Sequence, residues 1–201
     1  MDKSHSDIVW FKLDRTFFRI QKDLFICFVY ISPKNSSYTI RTNCDKHIFE
    51  KLEGDITKYS IIGDVMIMGD INVHVNASEQ DYICNEVDDV LDNFLPSNYI
   101  ADNIQKSHNT EVPQITNEHG RSVIDLCTEA QLRILNGRTI DDSSGKSTLH
   151  TYNGVSIDDY CICNSDFLPN ILSFRVGQFQ PLLSDHSNPS SGLQKPILKS
   201  N

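Results

Sequence analysis

The chain has 201 residues, 39% of them hydrophobic and 22% charged, with a formal net charge of −9. That composition suits a globular domain large enough for one sizeable core, and no apolar stretch approaches the roughly 20 residues of a membrane span. The acidic balance counts against nucleic-acid binding driven by surface charge alone, while leaving room for an enzyme that meets phosphate through a divalent cation in an acidic pocket.

In chain order, residues 8–13 read as a strand with mixed faces. The run 24–31 is continuously apolar, aromatic and β-branched, which predicts a central strand. Ser32-Pro33-Lys34-Asn35-Ser36-Ser37 ends it as a loop. Ile48, Phe49, Leu52, Ile56 and Tyr59 recur at helical spacing and predict an amphipathic helix. Val65-Met66-Ile67-Met68 predicts a buried strand that runs straight into Gly69-Asp70-Ile71-Asn72. After a polar loop over 76–81, Val87, Val90, Leu91, Phe94 and Leu95 mark a second helix closed by Pro96. Residues 97–118 are expected to be irregular, and 120–130 to form a third helix.

A short strand is predicted over 132–136, ending in Asn136-Gly137. The segments 147–152 and 155–164 flank Asn153-Gly154 and predict a β-hairpin. A further strand over 171–179 precedes Ser184-Asp185-His186. Strands alternate with helices early and hairpins follow late, which predicts one α/β or α+β domain with a mixed sheet over 1–188. Residues 189–201, rich in Ser, Pro and Lys, are expected to be a disordered tail. The six cysteines include no C-x2-C pair, and Cys27, Cys127, Cys161 and Cys163 stand in apolar segments. With no secretory apolar region at the start, they predict reduced core thiols in a nuclear or cytoplasmic protein, not a secreted one.

Asp70 and Asn72 stand two apart at the end of the buried strand, so they project together if the strand continues. A carboxylate that can take a proton beside an amide that can hold an oxygen suits hydrolysis of a charged ester. The plainer reading is a turn with an Asx hydrogen bond. His74 shares the same parity and is otherwise a solvated loop histidine. Asp185 and His186 are adjacent, so their side chains diverge and serve different partners. His186 therefore needs another carboxylate to fix its tautomer and stabilise its cation, and Asp159 is the candidate. The alternative for Asp158 and Asp159 is a solvated pair near a turn. Gly145-Lys146-Ser147-Thr148 ends like a P-loop, but Ile140 stands where that pattern needs its first Gly, so the stretch reads as a turn.

Taken in order, Phe28-Val29-Tyr30-Ile31-Ser32-Pro33, Met68-Gly69-Asp70-Ile71-Asn72, Gly120-Arg121-Ser122-Val123-Ile124-Asp125-Leu126-Cys127, Ile134-Leu135-Asn136-Gly137-Arg138-Thr139, Gly145-Lys146-Ser147-Thr148-Leu149 and the Ser-Asp-His triplet form a specific series over 8–186. The series resembles the endonuclease/exonuclease/phosphatase superfamily, most of all the endonuclease domain of non-LTR (LINE-type) retrotransposons. The resemblance implies a DNase I-like four-layer sandwich of two mixed β-sheets flanked by helices. It implies Mg²⁺- or Mn²⁺-dependent hydrolysis of DNA phosphodiesters, with DNA as a transient partner and no membrane partner. By matched position, Asp70 orients or deprotonates the attacking water and Asn72 holds that water or a phosphate oxygen. Asp159 pairs with His186, which contacts the scissile phosphate, and Asp185 lies near the metal.

The family's first metal ligand, a Glu on an early strand, and the Asn before it have no counterpart, because no Glu precedes Glu50 and no Asn precedes Asn35. The resemblance therefore implies a fold without its first βαβ portion, impaired metal binding, and weak or absent nicking. The alternatives are a non-catalytic binding or scaffold remnant of the fold, or a phosphatase or lipid phosphodiesterase of the same superfamily.

Overall fold

A computed structural model of the chain describes residues 7–34, 36, 37, 39, 45–82 and 108–193. Its centre is a five-stranded mixed sheet. β1 (Ile8–Leu13) and β2 (Leu24–Val29) pair antiparallel, with a single helical turn α1 (Arg15–Phe18) between them. Asp14 caps that turn by accepting from the Thr16 and Phe17 amides. The crossover helix α2 (Asp45–Ser60) then returns the chain so that β3 (Asp64–Asp70) lies parallel to β2. After α3 (Glu118–Glu129) come β4 (Leu132–Ile134), β5 (Leu149–Thr151) and β6 (Gly154–Ser156). β7 (Asp159–Asn164) enters between β3 and β4, antiparallel to both. β8 (Ile171–Val176) and β9 (Pro189–Leu193) form a separate antiparallel ribbon.

Each face of the sheet has its own core. On one side Cys27, Val29, Val65, Ile67 and Ile162 pack against Ile48, Leu52 and Ile56 of α2 and Val123, Leu126 and Cys127 of α3. Trp10 ties β1 to α2, its indole N–H donating to Asp55 Oδ2 at 3.0 Å and its ring lying 4.7 Å from that of Tyr59. On the other side Leu24, Met66, Cys161 and Cys163 meet Phe167 and, from the ribbon, Phe174 and Val176. Full burial of each large side chain contributes about 1.5–3 kcal/mol. The ribbon covers the middle of the sheet but not its β1 edge, where Phe11 and Phe28 lie about half exposed in edge-to-face contact. The layers among the described residues are thus helices, mixed sheet and antiparallel ribbon. The ribbon is narrower than the second mixed sheet that the resemblance implied. No helix among the described residues is long and apolar enough to cross a membrane.

Two predicted elements come out differently. The second hairpin arm over 155–164 is split: β6 pairs with β5, and β7 joins the central sheet. The break has a local cause, since the Thr148 hydroxyl accepts from the amides of both Asp158 and Asp159 (2.9 Å each) and turns the chain between the two strands. The supposed tail also begins with order, because Pro189–Leu193 is strand β9. Pro189 opens that strand, a position where a missing N–H is tolerated. The predicted helix over 87–95 and residues 194–201 lie outside the described residues.

A buried polar cluster sits beneath β4. Asp81 pairs with Arg138 at 2.6 Å, accepts from the Ile134 amide at 2.7 Å, and is fully buried. A buried carboxylate held by both an arginine and a backbone amide meets the condition under which such pairs are tolerated.

Candidate active site

The site forms where β3 and β7 end. Asp70 and Asp159 are directly opposite in the antiparallel pair, so their side chains share a face. The Ile71 amide continues the pairing to the Asp158 carbonyl (2.9 Å), and the Ile31 amide reaches the Asp70 carbonyl (2.9 Å). Gly69 makes this close approach possible. It has φ +147°, and a Cβ there would stand 1.9 Å from the Val29 carbonyl oxygen.

The strand stops at Asp70, and Asn72 takes the left-handed conformation at φ +46°. Asp70 and Asn72 still meet, through a turn rather than through strand parity. The Asn72 Nδ2 donates to Asp70 Oδ1 at 2.6 Å and to the Ile31 carbonyl at 3.0 Å, and the Asn72 amide donates to the same Oδ1 at 3.2 Å. Both amide hydrogens of Asn72 are therefore committed to the protein, and its Oδ1 is the end left to accept. The Asx hydrogen bond and the Asp70–Asn72 pairing are one structure.

The loop beyond is held by α3. Asn117 caps that helix by accepting from the Gly120 amide (2.7 Å), and its own amide donates to the His74 carbonyl (3.1 Å). Gly120 lies so close to the His74 carbonyl oxygen that a Cβ would stand at 2.1 Å. The His74 ring is 3.9 Å from Asp158 Oδ1. Asp158 is buried, and that oxygen has no hydrogen-bond partner among the described residues.

His186 arrives from the far side. A β-bridge joins it to Leu149, the Ser187 amide donates to the Thr148 carbonyl (2.6 Å), and the His150 amide donates to the Asp185 carbonyl (2.8 Å). His186 Nδ1 donates to Asp159 Oδ2 at 2.7 Å. This turns Nε2, the second ring nitrogen, into the free end. Asn136 fixes the backbone beneath the pair, its Nδ2 donating to the Asp159 carbonyl (3.0 Å) and its Oδ1 accepting from the Cys161 amide (2.9 Å). His186 lines a cavity of about 630 Å³ together with Arg175, Gln178, Gln180, Ser184 and Asn188.

The electrostatics follow from this crowding. Burial, then the facing Asp159 charge, raises the Asp70 carboxyl to about 6, with His186 and the Asn72 amide opposing. For His186, burial works against the cation, but the Asp159 hydrogen bond and charge, with Asp70 and Asp185 behind them, outweigh it and raise its pKa above the usual histidine value.

The structure thus brings Asp70, Asn72, Asp159 and His186 together. Asp185 is exposed and contributes its backbone carbonyl to this assembly. Among the described residues no three His, Cys, Asp or Glu side chains converge to hold a metal ion. The described donor set therefore does not fit a divalent cation by itself. Gly145 at φ +70° leads into β5 rather than a helix, so Gly145-Lys146-Ser147-Thr148 is a turn and not a phosphate loop. Sequence reasoning gave no role to Thr148, Asn136, His150 or Arg175. The first two lie inside phrases that carried the resemblance, which was the available signal. His150 and Arg175 had none.

No protein-family model matches the chain, and no curated protein matches its sequence. Solved structures do match its fold. The endonuclease domain of TRAS1, a telomere-specific non-LTR retrotransposon, superposes with a TM-score of 0.54 at 16% identity, covering 91% of this chain and 59% of that one. The catalytic domain of Xenopus laevis APE2 gives 0.55 at 13% identity, covering 86% and 50%. The 3′-5′ exonuclease NExo from Neisseria meningitidis gives 0.51 at 11%, covering 93% and 70%. The chain thus spans between half and three-fifths of the length of the first two.

Proposed function

We propose that this chain, which has the DNase I-like fold of the endonuclease/exonuclease/phosphatase superfamily, is a retrotransposon-derived endonuclease-like domain that nicks DNA phosphodiesters slowly when it stands alone. The observation that carries the reading is the His186–Asp159 pair at 2.7 Å, facing on the opposite strand the Asp70 carboxyl, which burial raises to about 6.

In this reading Asp70, ionised above its pKa of about 6, accepts the proton of the attacking water. Asn72 holds the Asp70 carboxylate in place and presents Oδ1 to that water. His186, kept cationic by Asp159, contacts the scissile phosphate and stabilises the charge that develops on it, with Arg175 in the same cavity. A positioned acid or base contributes roughly 10²–10⁴ in rate. The family resemblance also asks for Mg²⁺ or Mn²⁺. The described residues do not supply a ligand set for it, which is why turnover is expected to be slow.

Supercoiled-plasmid nicking with Mg²⁺ or Mn²⁺ tests the proposal. Slow conversion to open circles, lost in both Asp70→Ala and His186→Ala, is the expected result. Equal nicking by wild type and both variants would mark it as contamination and overturn the assignment. Release of phosphate from a 3′-phosphorylated strand, without plasmid nicking, would move the chain to the end-processing side of the superfamily.

A further inference from the structure

A second cavity of about 500 Å³ adjoins the site on the other side of the loop over 177–188, and the mechanism above leaves it unused. Lys146, His150 and Phe179 line it, with Glu111 and Ser147. His150 and Phe179 are stacked, their ring centroids 4.1 Å apart and their planes 22° from parallel. The histidine is held through backbone and ring: its backbone amide donates to the Asp185 carbonyl, and its Nε2 lies 3.2 Å from the Ser187 hydroxyl. Those two residues flank His186. The aromatic pair is therefore fixed to the same short segment that carries the phosphate-facing imidazole.

Lys146 is also anchored. Buried Asp142 accepts from the Lys146 amide (2.9 Å) and from the Gly137 amide (3.0 Å), and this fixes the turn from which the exposed lysine side chain extends. In a chain of net charge −9, the exposed Lys146 supplies a cation beside the aromatic pair. A polar rim, a flat aromatic wall and a cation beside a phosphodiester site match the needs of one nucleotide. A base stacked on Phe179 would leave Lys146 to meet the next phosphate. Stacking of this kind is tolerant of base identity. Glu111, placed by its acceptance from Ser144 Oγ at 2.7 Å, lies where it can accept from an exocyclic amino group.

We propose that the His150–Phe179 cleft is a nucleobase subsite for an unpaired nucleotide of a DNA strand, one position from the linkage held at His186. The proposal rests on the phosphodiesterase reading above and assigns that site a single-stranded or locally melted substrate.

The test is binding without cleavage: fluorescence anisotropy of the full chain with a fluorescein-labelled oligothymidine single strand in EDTA. Phe179→Ala is expected to weaken binding by roughly tenfold or more and Phe179→Trp to restore it, in keeping with the cost of removing a stacking aromatic. Lys146→Gln is expected to lower the salt slope of binding by about one. An abasic gap in the strand should weaken binding to the wild type and add nothing in Phe179→Ala. Phe179 is partly buried but lies outside both cores, so its variants should unfold close to the wild-type temperature. If the wild type binds the strand and Phe179→Ala binds it equally well, the subsite is overturned while the phosphodiesterase reading stands. If the wild type binds no strand, the subsite is overturned, and plasmid nicking decides the phosphodiesterase reading by itself.

Discussion

Asp70 shows at a single residue how the proposed catalytic site works against its own fold. Its carboxyl titrates near 6 because burial and the facing Asp159 both disfavour its charge. A folded pKa raised above the unfolded 3.8 means that the native state binds this proton more tightly. Stability from this group is present at low pH and declines as pH rises from 3.8 through 6. Asp70→Asn keeps an acceptor for Asn72 and removes the charge. It should abolish nicking and stabilise the protein above pH 6 by about 1–2 kcal/mol once solvent screening is allowed for, read from urea unfolding at pH 5 and 8. His186 has the same sense, although its proton carries a positive charge. Its raised folded pKa gives a contribution that is complete below 6.5 and is lost as pH rises through the folded value. The rate should therefore follow a bell, with an acid limb near 6 from Asp70 and an alkaline limb above 6.5 from His186.

At the scale of elements, the site depends on where strands stop. Thr148 ends the β5–β6 hairpin and starts β7 with one hydroxyl that accepts from two consecutive amides. Thr148→Val keeps the shape and leaves both N–H groups without that acceptor. It should cost about 1–3 kcal/mol and lower the nicking rate more than its loss of stability explains, because Asp159 would no longer be held opposite Asp70. Chemical denaturation and single-turnover nicking measure the two effects separately. The same region shows what a sequence can and cannot disclose. The apolar runs of β2, β3 and β7 and the helical spacing of α2 are legible because burial imposes period and length on the residues themselves. The order Asp70, Asp159, Asp185, His186 is legible only through resemblance. The split between β6 and β7 is not legible, since it is made by a hydroxyl ten residues away in the chain. Nor is the turn at Asn72, where strand parity suggested continued extension and the backbone adopts φ +46°. Strand β9 escaped for another reason: a Ser- and Gly-rich segment pairs through its backbone and carries little apolar pattern to read.

On the scale of the whole molecule, the sheet order β1-β2-β3-β7-β4 gives its strands unequal support. β1 is an edge strand with Phe11 half exposed, and β4 is a three-residue edge at the other end. β3 and β7 are hydrogen-bonded on both sides and covered on both faces by the two cores. These are the strands that carry Asp70 and Asp159. Amide hydrogen exchange should therefore run outward to inward, with β1 amides exchanging through local opening and those of Ile67 and Ile162 only through global unfolding. Protection of β1 equal to that of β3 would contradict this order. For the chemistry, the consequence is durability. Fraying at the edges leaves the paired carboxyls in register, so on heating, loss of activity should coincide with the cooperative transition and not precede it.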